Sequence, residues 1–417
     1  MRWFSRGEFC GHEKVTGWNL QPRAAPRVRV RGHRLALVMT PSSNSPAVPR
    51  DRGLDSLRGL MLVGMAVNHI TSHLQVITDH PLGYTSTAEG FVFLSGLVAG
   101  LVYTRRRLRR GVAAAAKASV GRAGTIYRYH LALFLGLWVW VHFFRAIAGE
   151  PPGVTPAAML QHPWLTLLSG VFLTNQPPFL DILPMYAGFM LLLPAVLEAL
   201  DRGHRGRVLA ISFAGWAVTN LLWPEAPPLP GVLQTGAFNW GAWQLLFLLG
   251  SVCGHAQATD TRLLPRGQGW LIVPALALCA WGFLIRHWYW PAPFPEFADW
   301  VNKNNLAPVR LLNTLALFFL LHRLFVRWPR AFVWPPLELL GRHSLAVFST
   351  HVAVAYVLFA FPQYVAATTA RTWLGTAIML GSLWVVAGVR ERRQGPPQPH
   401  RGVARPARRM VTAGFRP

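Results

Sequence analysis

The chain has few cysteines, few acidic residues and few charged residues overall. Its three cysteines, Cys10, Cys253 and Cys279, are too few and too scattered for a disulfide framework or a cysteine-based metal motif. Charged residues make up 14% of the 417 positions, whereas they make up about a quarter of a typical soluble protein. These deficits exclude a disulfide-rich scaffold and argue against a soluble globular protein.

Long apolar runs recur along the chain instead. Hydrophobic residues account for 52% of the sequence, and 18 of its residues are Trp. Repeated runs of this kind are typical of a membrane protein that crosses the bilayer several times. We therefore predict an all-α integral membrane protein of about ten transmembrane helices. The predicted spans are 54–74, 86–104, 126–148, 181–200, 207–223, 240–256, 270–288, 307–326, 337–361 and 370–389.

The basic residues alternate between the predicted loops. The loops after the first, third and fifth spans contain no Lys or Arg, and the loop after the seventh contains only Lys303. The intervening loops and the C-terminal tail are rich in Arg. By the positive-inside rule this pattern predicts that both termini are cytoplasmic. It also explains the net charge of +25 as topology and contact with anionic membrane lipids, without a nucleic-acid partner.

Three regions follow from these patterns. Residues 1–50 and 390–417 are basic, are rich in Pro or Gly and show no helical periodicity, so we predict disordered cytoplasmic tails. Residues 51–389 form the predicted multi-span domain. Little before Met39 looks structured, so Met39 is an alternative start of translation.

Arg58 and His69 stand out because both are ionisable and both lie in the first predicted span. Eleven residues of helix make three turns plus about 20°, so the two side chains share a face and are roughly 16 Å apart along the axis. Ionisable residues inside a span are costly and usually mark a substrate or proton path. A hydrogen-bonded role in helix packing is the alternative for His69.

Two carboxylates are predicted near the same outer level as His69. Glu89 starts the second span and Asp181 starts the fourth. A histidine beside a carboxylate is a suitable general base, so we predict His69, Glu89 and Asp181 as catalytic residues. A metal site formed by His69, His73 and Glu89 is an alternative, although no companion motif supports it and we predict no metal.

Further candidates lie at both membrane faces. Arg105 and Arg106, in the basic loop after the second span, are candidates for binding the phosphates of a donor, or serve only as a topology signal. Arg342 and His351 belong to the ninth span. Lys303 lies in an outer loop among Asn residues, a composition that suits carbohydrate binding or an interfacial belt.

Several segments resemble the OpgC proteins, one branch of the membrane acyltransferase-3 superfamily. The Arg-x10-His spacing of Arg58 and His69 resembles the superfamily signature. The more specific segments are Leu57-Arg-Gly59, Ala88-Glu-Gly-Phe-Val-Phe-Leu-Ser-Gly96, Leu180-Asp-Ile-Leu-Pro-Met-Tyr186, Trp243-Gln-Leu-Leu-Phe247, and Leu340-Gly-Arg-His-Ser-Leu345 with His351. The resemblance covers about residues 50–389.

The resemblance implies a multi-pass enzyme of the bacterial inner membrane. It would transfer an acyl group, expected to be succinyl, from cytoplasmic acyl-CoA to a hydroxyl of a periplasmic glucan, with no bound cofactor. Arg58 would contact the donor and His69 would lie near the transfer centre. The alternatives are an O-acetyltransferase of lipopolysaccharide or exopolysaccharide, and a transporter that uses the same charges as a proton relay.

Overall fold

The computed structural model describes residues 50–150, 155–222, 236–263, 267–361 and 367–394. Within these ranges the chain forms fifteen α-helices and no strand. The helices are α1 (Arg52–Asn68), α2 (Gln75–Thr78), α3 (Thr87–Arg110), α4 (Val112–Ala148), α5 (Ala157–Gln161), α6 (Pro163–Val171), α7 (Ile182–Asp201), α8 (Arg205–Leu222), α9 (Trp240–Ala258), α10 (Ile272–Arg286), α11 (Phe297–Trp300), α12 (Pro308–Arg327), α13 (Pro335–Arg342), α14 (Ser344–Phe359) and α15 (Thr369–Gln394).

The all-helical membrane class is confirmed. Six helical segments in the described part of the chain are long and apolar enough to cross a bilayer: α3, α4, α7, α12, α15 and Gln268–Arg286, which contains α10. The apolar stretches of α4 and α10 are mostly unburied. Such extensive exposed apolar surface is unfavourable in water but suits contact with lipid. The protein is therefore a membrane protein.

Each of the ten predicted spans contains a helix, but three differ from the prediction. The third, 126–148, lies within a longer helix, α4, which begins at Val112. The ninth, 337–361, is divided at His343 into α13 and α14. The first, 54–74, stops being helical at Asn68. The Asn68 side chain bonds to Thr78 instead, donating from Nδ2 to its carbonyl oxygen at 3.1 Å. The chain after α1 thus folds back over the end of the helix.

Helices α3 and α9 approach each other closely along two glycine pairs. A Cβ atom on Gly96 or Gly100 would lie 2.0–2.2 Å from a carbonyl oxygen of α9, and one on Gly250 or Gly254 would lie 2.0–2.2 Å from a carbonyl oxygen of α3. Both pairs have the Gly-x-x-x-Gly spacing, which allows backbones in a membrane to come into contact. This contact places the start of α3, with Glu89, against the bundle core.

The predicted tails fall largely outside the described residues. Of the N-terminal tail only Arg50 is described, and Met39 is not. Helix α15 continues to Gln394, so the first five residues of the predicted C-terminal tail are helical. The remainder of that tail, 395–417, is not described.

Candidate active site

His69 lies at the end of α1 and faces a second histidine. Its Nδ1 is 2.9 Å from Nε2 of His351, a fully buried residue of α14. The Phe179 ring lies 4.2 Å from the His69 ring, and the Phe348 ring lies 4.7 Å from the His351 ring, centroid to centroid. Two histidines at this distance share one proton between the facing nitrogens. When Nδ1 of His69 donates it, Nε2 of His69 is left as a proton acceptor.

Glu89 has partners other than His69. It is fully buried, and its Oε1 accepts a hydrogen bond from Nη1 of Arg310 at 2.8 Å. Its Oε2 accepts bonds from the backbone N–H of Ser86, at 2.9 Å, and from the Ser86 hydroxyl, which completes a capping box at the start of α3. The carboxylate is thus balanced by Arg310 and helps to fix the helix start.

Asp181 lies directly before α7 and is 3% exposed. Its Oδ2 accepts a hydrogen bond from the backbone N–H of Ala237 at 2.8 Å. The carboxylate also interacts with the backbone N–H groups of Asp181 and Ile182. No hydrogen bond joins Asp181 to His69 among the described contacts.

Lys303 interacts with all three residues that the sequence predicts as catalytic. It interacts electrostatically with His69, Glu89 and Asp181, and its Nζ lies 5.9 Å from the centroid of the Phe238 ring. Within the described parts of the chain it forms no ion pair.

The backbone around Lys303 is held firmly. Nε1 of Trp243 donates to the carbonyl oxygens of Lys303 and Asn304 at 3.2 and 3.0 Å, and Nε1 of Trp216 donates to that of Leu306 at 2.9 Å. Two tryptophans thus fix the backbone from which the Lys303 side chain extends.

Arg58 lies deeper in the bundle, on α1. Its Nη2 donates to the Ser344 hydroxyl at 2.6 Å, and its Nη1 is 3.8 Å from the Asp55 carboxylate. Its Nε is buried without a partner. Because Ser344 begins α14 and His351 lies on the same helix, α1 and α14 contact each other at both levels of the site.

The basic segment at the end of α3 divides into two kinds of arginine. Arg107 is buried and bonds to Glu198 and Asp201 of α7, each at 2.6 Å, so it holds two helices together. Arg105 and Arg106 are half-buried and form no ion pair with any residue that the structure describes. Both are therefore available to a phosphate.

Arg342 has acidic partners. Its Nη1 bonds to Glu391 of α15 at 2.9 Å, and its Nε is 3.9 Å from Glu338 of α13. His343 also bonds to Glu391, at 2.8 Å. These contacts fasten α13 to α15, and they suit a structural role for Arg342.

The alternative metal site is not formed. His73 is exposed and its ring lies 5.7 Å from that of Trp373. Because α1 ends at Asn68, His69 and His73 do not share a helical face. No group of three or more His, Cys, Asp or Glu side chains that could hold a metal ion occurs in the described ranges.

A chain of polar contacts that the sequence does not predict lies beside the site. Arg310 bonds to Glu89 and lies 3.3 Å from Nε2 of His80, whose Nδ1 is 2.5 Å from Asp79. Asp79 in turn accepts a bond from Arg286 at 3.1 Å. In this loop between α2 and α3, burial and then the nearby Arg310 charge lower the pKa of His80 to about 4. An arginine near the start of an apolar span was the signal for Arg310.

Comparisons with known proteins support the family resemblance that the sequence motifs indicate. No curated protein and no solved structure matches the chain. A family model described as OpgC protein matches residues 50–395, which include every site residue discussed above. The chain belongs to the OpgC protein family, and this membership indicates a membrane acyltransferase.

Proposed function

We propose that this protein is an O-acyltransferase of the bacterial inner membrane, with both termini in the cytoplasm. It moves an acyl group, in our proposal succinyl, from cytoplasmic acyl-CoA to a hydroxyl of a periplasmic glucan. The observation that carries the proposal is the histidine pair formed by His69 and His351, because it joins a proton acceptor to a buried partner that orients it.

The proposed position of the donor follows from two residues of α1. Arg58 and His69 lie on this one helix, separated by roughly 16 Å. Arg105 and Arg106 have no acidic partner in the described structure and suit the phosphates of acyl-CoA. The donor phosphates bind at this basic end, and the acyl arm extends past Arg58 towards His69.

The transfer is a direct attack on the thioester. Nε2 of His69 removes the proton from a glucose hydroxyl as its oxygen bonds to the thioester carbonyl carbon. The tetrahedral intermediate then collapses, its carbon–sulfur bond breaks, and the thiolate takes the proton back from His69. The products are the O-acyl glucan and free CoA, and no proton is gained or lost overall.

The remaining residues support this step. His351 accepts the Nδ1 proton of His69 and so keeps Nε2 of His69 as the base. The Asp181 carboxylate accepts a hydrogen bond from a hydroxyl of the acceptor. Glu89, which the sequence predicts as catalytic, fixes the start of α3 through Ser86 while Arg310 balances its charge.

Lys303 is the reason for proposing succinyl as the acyl group. A succinyl group carries a free carboxylate, and Lys303 is a cation at the His69 end without an ion-pair partner in the described structure. We expect Lys303→Gln to slow transfer of succinyl from succinyl-CoA at least several-fold more than transfer of acetyl from acetyl-CoA. Equal slowing of both reactions would contradict the carboxylate role of Lys303 and favour an acetyl donor.

The function is tested in cells that lack the native gene. Cells with the wild-type chain should carry acyl groups on their periplasmic glucans, measured by mass spectrometry and by charge, and cells with His69→Ala should lack them. His73→Ala is the matched control, because this nearby exposed histidine should leave acylation unchanged. Each protein is quantified in the membrane.

Three outcomes would contradict the proposal. Normal acylation by His69→Ala at normal protein levels would exclude His69 as the base. Acyl groups that disappear from lipopolysaccharide or exopolysaccharide, with glucans unaffected, would show a different acceptor. Loss of the glucan itself from the periplasm would indicate export in place of acyl transfer.

A further inference from the structure

A groove opens on the surface of the bundle where α4, α14 and α15 meet. Its volume is about 340 Å³, and small or aliphatic residues of all three helices line most of it, among them Leu133, Ala346 and Val386. Helices α4 and α15 are long and apolar enough to cross a bilayer. A groove between them is therefore within reach of the hydrocarbon chains of membrane lipids.

The groove lies on the side of α14 that faces away from the histidine pair. Ala346, Ser349, Thr350 and Ala353 share one face of α14 and extend for roughly 10 Å along its axis. His351 is about 140° round the helix from Ala346 and faces α1 instead. The groove is thus a separate feature from the candidate active site.

A cation lies beside the groove. Arg390 is the lining residue nearest the C-terminal end of α15, and its Nη2 donates to the Tyr129 hydroxyl of α4 at 2.6 Å. Arg390 is exposed and forms no ion pair with any residue that the structure describes. Because the Tyr129 hydroxyl accepts this bond, it can donate its own proton to a further acceptor. The pair presents a charged and a neutral donor next to an apolar surface.

This combination matches a lipid with an anionic headgroup. An apolar groove that faces the bilayer accommodates a hydrocarbon chain, and a guanidinium binds phosphate oxygens through its N–H donors. Basic sites between transmembrane helices on the cytoplasmic side are typical positions for anionic headgroups. In the predicted topology Arg390 lies at the cytoplasmic end of α15, where the phosphates of that leaflet lie.

We propose that this groove binds one anionic phospholipid of the surrounding membrane. The lipid phosphate accepts hydrogen bonds from Arg390 and Tyr129, and one acyl chain lies along the small residues of α14. The bound lipid supports the face of α14 opposite His351. This site does not depend on the proposed acyl transfer, because none of its residues takes part in that reaction.

The experiment measures lipid binding to the purified full-length protein in detergent by native mass spectrometry. The probes are phosphatidylglycerol, which is anionic, phosphatidylcholine with the same acyl chains, which has no net charge, and glycerol phosphate, which has the anion without the chains. We expect one phosphatidylglycerol to bind at least several-fold more tightly than phosphatidylcholine, and glycerol phosphate to bind most weakly.

Arg390→Gln tests the recognition of the headgroup. It should weaken binding of phosphatidylglycerol by roughly 5- to 10-fold, the effect of one lost contact between a cation and an anion, and bring it close to that of phosphatidylcholine. Arg392→Gln is the matched control, because it removes the same charge from an exposed position about 200° round the same helix. It should leave the affinity near that of the wild type.

Ala353→Leu tests the position of the acyl chain. The larger side chain fills part of the groove, so we expect it to weaken binding of both phospholipids several-fold. Ala210→Leu adds the same side chain to an exposed position of α8 and should leave binding unchanged. Because Ala353 and Ala210 are both exposed, the thermal midpoints without added lipid should stay near that of the wild type.

Four outcomes would overturn the proposal. Equal affinity of the wild type for the two phospholipids would show that the headgroup charge is not recognised. Equal weakening by the two arginine variants would indicate attraction to basic charge in general. Equal binding by the two leucine variants would place the chain outside the groove. A change of oligomeric state in Ala353→Leu would show that a second copy of the chain occupies the groove.

Discussion

The pairing of His69 shows how one contact changes the chemistry assigned to a residue. From the sequence, a carboxylate was the expected partner of His69, and such a partner would stabilise the charged imidazolium. The structure places the buried His351 there instead. A histidine partner fixes the orientation of the ring but leaves the imidazolium without a counter-charge. His69 therefore fits a base that holds a proton only briefly.

The orienting role of His351 can be measured. His351→Ala removes the acceptor of the Nδ1 proton, so His69 loses its fixed orientation. We expect acyl transfer to fall by roughly 10²-fold or more, with the donor KM little changed. His351→Gln should recover part of the rate, because its side-chain oxygen accepts the same proton. If the Gln and Ala variants were equally slow, the hydrogen bond would not be the reason for the loss.

His80 should make the stability of the protein depend on pH. The pKa of His80 is about 4 in the folded protein, against 6.5 for a histidine in an unfolded chain. Between these values the unfolded chain binds a proton that the folded chain does not, so the free energy of unfolding falls as the pH falls from about 6.5 to about 4. We expect the thermal midpoint in detergent to fall across this window.

The contribution of His80 is isolated by comparison with His80→Gln, which does not titrate. The midpoint of this variant should change less with pH than that of the wild type over the same window. Parallel curves for the two proteins would show that His80 is not the group responsible.

At the scale of the helices, the contact between α3 and α9 depends on glycines, which have no side chain to separate the two backbones. Apolar residues gain little by meeting each other in a bilayer, because lipid tails are equally apolar. Helices associate there through close packing of their backbones, which requires small residues. The Gly-x-x-x-Gly pairs of Gly96 with Gly100 and of Gly250 with Gly254 supply this on both partners.

A pair of glycine substitutions tests this contact. A Cβ atom on Gly250 would lie 2.2 Å from the carbonyl oxygen of Phe93, whereas nothing lies within 4 Å of one on Gly388. We expect Gly250→Ala to destabilise the protein by about 1–3 kcal/mol through overpacking. Gly388→Ala should be neutral or stabilising by up to ~1 kcal/mol, because Ala is the better helix former.

Thermal unfolding of both variants in the same detergent measures the contrast. Because the substitution is identical and both glycines lie within helices, helix propensity acts in the same direction at both positions. Similar midpoints for the two variants would mean that the close approach of α3 and α9 does not limit stability.

At the scale of the whole molecule, the proposed function depends on a direction across the membrane. The donor is cytoplasmic and the acceptor is periplasmic, so Arg58 and His69 must face opposite compartments. The charges of the loops predict this orientation by the positive-inside rule. Two exposed residues between predicted spans, His204 and Asp299 of the short helix α11, lie on opposite sides in the predicted topology.

The topology is tested with single cysteines in a chain whose three native cysteines are replaced. A cysteine at position 299 should react with a membrane-impermeant thiol reagent in cells with an opened outer membrane. A cysteine at position 204 should react only after the inner membrane is broken. Labelling of position 204 in intact cells would reverse the predicted orientation, and with it the direction of transfer.

The sequence was a good guide to the helices and a partial guide to the site. Apolar runs of about 20 residues depend on local composition alone, and each of the ten predicted spans contains a helix. The partners of the polar residues depend on distant parts of the chain: Glu89 meets Arg310, and Arg107 meets Glu198. Nothing in the local pattern specifies such pairs, so the sequence named several of the right residues but not their contacts.

The amino-acid sequence by itself determined the membrane class, the helical segments, the family and the prominence of Arg58 and His69. Each of these follows from composition or from spacing within one segment. Only the tertiary structure decided which residues face each other. It joined His69 to His351 and assigned Glu89 to Arg310. The physical reason is that hydrogen bonds and ion pairs act over a few ångströms between helices, and helix packing alone sets those distances.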